Sequence, residues 1–208
     1  MKITVITNDI IRVHYEEQEA LTRAFCRLQE SYESPNPDFR DRPFTLGEYR
    51  VWYTKETGAW TYYTDWNGFN MPSDALEPFI EGLFDPLSVE EKELVDALKY
   101  REGDYYVIGT HEDDDALPHE LCHALYTTND QYQEDMTEAV ENLENTENIE
   151  ERLMEMGYSE DSLTDEMQAF LAVDSEHIRD EFNVVLPDGY EKIIEIKQKY
   201  FKEMGFGD

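Results

Sequence analysis

Basic residues are scarce in this chain of 208: Lys plus Arg total 17 against 49 Asp plus Glu, a formal net charge of -32. A surface of that sign repels phosphate backbones and anionic bilayers, so nucleic-acid and membrane-surface binding are not expected. Cysteine is almost missing. Cys26 and Cys122 are the only two, and nothing in their spacing suggests a disulfide framework. Long apolar runs are absent too. Lys2–Thr7 is apolar only briefly before Asn8 and Asp9, too short for a signal-peptide core or a membrane span. The expected setting is intracellular, cytoplasmic and reducing. No internal repeat and no low-complexity linker break the chain, which reads as one domain over 1–208.

A core is nevertheless available, because 40% of residues are hydrophobic and 13% aromatic. Lys2–Thr7 reads as a strand, and 16–32 as a helix with Leu21, Phe25, Leu28 and Tyr32 on one stripe. Ser34-Pro35-Asn36-Pro37 ends that helix. Strand-like runs at 48–54 and 59–65 flank a hairpin turn at Lys55-Glu56-Thr57-Gly58, and Trp66–Pro72 reads as an ordered loop. The aromatic stretch Trp60–Phe69 is expected in the core. A helix follows over 73–83, and another starts at Ser88, with Glu91 completing a capping box. A strand over 104–110 precedes helices near 115–127, 130–156, 160–175 and 189–204, with breaks at Gly157 and Pro187-Asp188-Gly189. The fold class is therefore α+β: a small N-terminal mixed or antiparallel sheet in 1–110, then a mostly helical part in 111–208.

The chemistry concentrates in His119-Glu120-Leu121-Cys122-His123. Four residues make about one helical turn, so the two imidazoles leave one face and can reach a single ion. Glu120 then stands beside the metal, where it can take a proton from water. Two neutral imidazoles and one carboxylate suit Zn2+, with a fourth position open. Asp113-Asp114-Asp115 offers N-cap candidates for this helix, and Pro118 falls in its first turn.

A third ligand must come from elsewhere. Tyr126 and Asn129 stand where a Gly and a further His or Asp would extend the motif, so a later glutamate is needed. Glu134, Glu138, Glu141, Glu144 and Glu166 all lie downstream. At about 100° per residue, Glu166 falls inside the apolar arc of Leu163, Met167, Phe170, Leu171 and Val173, while Asp165 and Gln168 fall on the opposite, polar side. A carboxylate on a buried stripe is costly unless it is paired or bound to metal, which favours Glu166. Glu138 and Glu141 come next, then His177.

With these residues the chain resembles the zincin superfamily of HExxH metallopeptidases, and within it the gluzincins. The resemblance covers the motif helix and the region down to about residue 175. It implies a zincin-like fold and a zinc-dependent metallopeptidase, with His119, His123 and Glu166 as ligands and Glu120 as general base. Gluzincins hold the glutamate nearer the second histidine; here Glu166 follows His123 by 43 residues, with an inserted helix between. His177 or Tyr190 could serve the oxyanion, and His111 could touch substrate or water. From His111 to Phe170 there are 19 acidic residues and one basic residue, Arg152, so a peptide or protein substrate with basic segments is expected. Two other readings remain open: a catalytically silent zinc-binding protein, and an acidic protein that mimics nucleic acid.

Overall fold

β-Branched side chains favour the strands of the sheet, of which the one over Tyr106–Thr110 is buried along its whole length. In the computed structural model, which describes residues 1–40, 42–112 and 116–206, the strands are β1 (Lys2–Val5), β2 (Ile10–His14), β3 (Phe69–Pro72) and β4 (Tyr106–Thr110), in spatial order β1-β2-β4-β3. β2 and β4 run parallel, with Ile11 opposite Val107 and Val13 opposite Gly109. β1 and β3 are antiparallel edges. Pro72, which cannot donate to a ladder, sits at the end of an edge strand. The sheet is mixed and the class is α+β, as expected.

Helix α1 (Gln18–Glu33) buries Leu21, Phe25 and Leu28, whereas Tyr32, placed on the same stripe by its spacing, is 42% exposed. Leu21 and Phe25 lie against Gly109 on β4. A Cβ there would meet Phe25 Cζ at 2.7 Å and Leu21 Cδ1 at 2.9 Å. Gly109→Ala is therefore expected to lower stability by about 1–3 kcal/mol through overpacking, read as a shift in the urea midpoint.

Three expectations in this region are corrected. Residues 48–54 and 59–65 are not a hairpin: α2 spans Leu46–Thr57 and α3 spans Tyr62–Asp65. Aromatic and β-branched residues there suggest strand, but Thr45 and Glu48 cap each other's backbone N–H groups, and Tyr49 and Tyr53 are buried one turn apart. Gly58, at φ 86°, ends α2 in the left-handed region instead of turning a hairpin. Phe69–Pro72 is a strand rather than a loop, with Phe69 and Met71 facing inward. β2 was not among the expected strands.

The helix expected over 73–83 is a 3-10 turn, Ser73–Leu76, followed by α4 (Glu77–Ile80). α5 (Val89–Leu98) starts at the Ser88–Glu91 capping box, as expected. Tyr62 and Phe69 are buried in the core, with Trp60 and Tyr63 packed against it.

Two compact units divide between Leu117 and Pro118, where the sequence suggested a change from sheet to helix at 110/111. The second is helical: α6 (Leu117–Thr128, beginning on the last residue of the first unit), α7 (Asp130–Glu141), α8 (Glu147–Glu155), α9 (Leu163–Val173), α10 (Ser175–Phe182) and α11 (Glu191–Glu203). Helices α7, α8, α10 and α11 all pack against α9. The single helix expected over 130–156 is broken, because Asn145 takes φ 62° and the Glu144 backbone pairs with that of Asp188. Gly157, at φ 104°, follows the break expected there. Pro118 falls in the first turn of α6. The N-cap candidates Asp113, Asp114 and Asp115 lie outside the described residues. Among the described residues no helix is long and apolar enough to cross a membrane.

Candidate metal centre

α6 buries Leu121, Cys122, Ala124 and Leu125, which fixes the rotation of the helix and so the direction of its histidines. His119 and His123 lie one turn apart, and their Nε2 atoms approach to 3.1 Å. α9 brings Glu166 to them: its Oε2 is 3.8 Å from His123 Nε2. One ligand atom from each of His119, His123 and Glu166 lies within 4.8 Å of the others.

Each imidazole is held from behind by a carboxylate. His119 Nδ1–H donates to Asp174 Oδ2 at 2.8 Å, and Phe170 packs edge-on against the ring. His123 Nδ1 faces Asp165 Oδ1 at 3.0 Å. A carboxylate at Nδ1 keeps the proton there and leaves the Nε2 lone pair for a ligand. Both Nε2 atoms accordingly point into one small volume.

The electrostatics are those of a site short of positive charge. Burial pulls the His123 pKa down, but Asp165, Glu166 and Glu120 outweigh it and raise it to about 10. Burial pushes the Glu166 carboxyl up; His123 and His119 pull it back, and Asp165 and Glu120 raise it further. Glu166 Oε2 is buried without a hydrogen-bond partner. An acceptor left in that state is costly unless something cationic meets it.

These residues fit a divalent metal. A tetrahedral ion with metal–nitrogen bonds of about 2.0–2.1 Å separates two imidazole nitrogens by about 3.3 Å, close to the spacing found here. Glu166 supplies an oxygen that no hydrogen bond satisfies. Glu120, 7% exposed, contributes its charge to both His123 and Glu166.

Of the alternative third ligands, Glu134, Glu138, Glu141 and Glu144 are exposed, and so is His177; none belongs to the ligand cluster found among the described residues. Tyr190 is outside it as well. His111 directly follows β4 in the first unit and is buried, with its Nε2 lacking a hydrogen-bond partner.

One expectation about α9 is overturned. Asp165 and Gln168 do not form a polar, solvent-facing side: Asp165 faces His123, and Gln168 is fully buried. A single apolar arc misleads here because α9 has neighbours on several sides. Asp165 and Asp174 were therefore missed as partners of the histidines. The available signal was chemical, since a ligating imidazole wants an acceptor at its second nitrogen. Among 49 acids that signal selects no position.

No family model, no curated protein and no solved structure matches this chain.

Proposed function

We propose that the chain is a zinc-dependent metallopeptidase with a zincin-like, gluzincin-type site, in which His119, His123 and Glu166 hold the ion. The observation that carries this reading is the convergence of two Nε2 atoms, 3.1 Å apart, on a buried Glu166 oxygen that no hydrogen bond satisfies. Zinc, when bound, supplies Lewis-acid polarisation of a peptide carbonyl and makes a water more acidic. Asp174 and Asp165 keep the protons of His119 and His123 on Nδ1 and hold the rings in place. The Glu120 carboxylate has the role of accepting a proton from water and returning it to the leaving amine. The acidic surroundings favour peptides with basic segments. Two free, buried thiols, Cys26 and Cys122, accord with a reducing, cytoplasmic setting.

Metal analysis tests the site. Purified protein is expected to carry one zinc per chain, and His119→Ala, His123→Ala or Glu166→Ala to lose most of it while Glu138→Ala keeps it. A parent protein that takes up no zinc at all would remove the basis for the reading.

A further inference from the structure

Behind His123, a path of hydrogen bonds leads from the ligand cluster into the core of the second unit. Asp165 Oδ1, which faces His123 Nδ1, also accepts from Gln168 Nε2 at 2.9 Å. Gln168 Oε1 in turn accepts from the Tyr132 hydroxyl on α7, again at 2.9 Å. Gln168 and Tyr132 are both fully buried.

Donor and acceptor inventories leave this path a single direction. An ionised carboxylate can only accept, so Gln168 must turn its NH2 towards Asp165. Its carbonyl oxygen is then left facing Tyr132, which must donate. Asp165 can accept from His123 only if a proton sits on Nδ1, which in the neutral ring leaves the Nε2 lone pair aimed at His119 and Glu166. The amide also restrains a carboxylate that would otherwise be free to turn: the Asp165 side chain is 29% exposed and could swing to water. Tyr132 opposes a flip of the amide, which would set the Gln168 oxygen against Asp165.

We propose that Gln168 and Tyr132 are positioning residues for His123, fixing Asp165 and, through it, the tautomer and ring orientation of that metal ligand. This rests on the reading of His119, His123 and Glu166 as a metal site. Were the two residues simply satisfied core polar groups, their removal would lower stability and leave the metal untouched.

Gln168→Met keeps the length of the side chain without its amide, and Tyr132→Phe removes a single oxygen. Zinc affinity by chelator competition, the visible absorption of the cobalt(II)-loaded protein and the urea midpoint are measured for each. Gln168→Met is expected to bind zinc about tenfold more weakly, with altered cobalt bands. Tyr132→Phe is expected to shift both readouts in the same direction by less. The double variant is expected to be no weaker than Gln168→Met alone, since both act through Asp165. If Gln168→Met does not fold, Tyr132→Phe, which retains the ring, carries the test. Variants that lose stability yet keep parental zinc affinity and cobalt spectrum would overturn the proposal while sparing the metal site. A parent that binds no zinc sinks the site reading and this proposal with it.

Discussion

Glu120→Gln is expected to retain zinc at the parental level and to lose peptide hydrolysis by about 10²–10⁴-fold. The amide is nearly isosteric, so the 7% exposed position should accept it without repacking. What disappears is the ability to take and return a proton. The charge changes as well: the Glu120 carboxylate helps to hold the His123 proton and raises the Glu166 carboxyl. Removing it should not weaken the grip on a dication held by three other groups. The assay uses peptides rich in Lys and peptides rich in Glu, with faster cleavage of the former expected from the acidic surroundings. If the parent cleaves neither set, the chain is a zinc-binding protein without turnover. If Glu120→Gln cleaves as fast as the parent, the proton passes through another group.

Arg27→Met is expected to destabilise the first unit by about 3–5 kcal/mol, the cost of stranding a buried charge. Arg27 lies in α1, and its side chain and that of Glu91 are 6% and 4% exposed. Its Nε and Nη2 donate to the two Glu91 oxygens at 2.7 and 2.6 Å. The remaining donors serve the carbonyls of Phe44, Phe84 and Pro86. Methionine fills much of the volume but leaves Glu91 ionised in the interior and three carbonyls without their donor. Glu91 also accepts from Ser88 N–H at 2.7 Å, so the same carboxylate caps α5. Lysine is a poor substitute, because a compact ammonium cannot reproduce a planar five-donor fork. The measurement is the urea midpoint with its slope. A loss below about 1 kcal/mol would mean that Glu91 finds water or a proton when Arg27 is gone.

These two sites differ in how far they could be read beforehand. The capping box at Ser88 and Glu91 is local and was legible; the partnership of Glu91 with Arg27, 64 positions apart, was not. The box at Thr45 and Glu48 was equally local, yet the aromatic and β-branched residues after it pointed to strand. Tertiary burial of Tyr49 and Tyr53 on one helical face decided the matter. β2 and β4 pair in parallel from positions nearly a hundred residues apart, and no spacing in the chain announces such a register.

The candidate metal site divides along the same line. His119 and His123 share a face because helical geometry places residues four apart together, whatever surrounds them. Glu166 was singled out because a carboxylate on an apolar stripe needs a partner. Asp165, Gln168 and Asp174 gave no such sign, since their surroundings come from the helices packed around α9. Short-range periodicity thus determined the two imidazoles and nominated one acid. Which carboxylates stand behind the rings, and that Gln168 is buried rather than solvated, only the packing of separate helices decided, because those contacts depend on where distant segments come to rest.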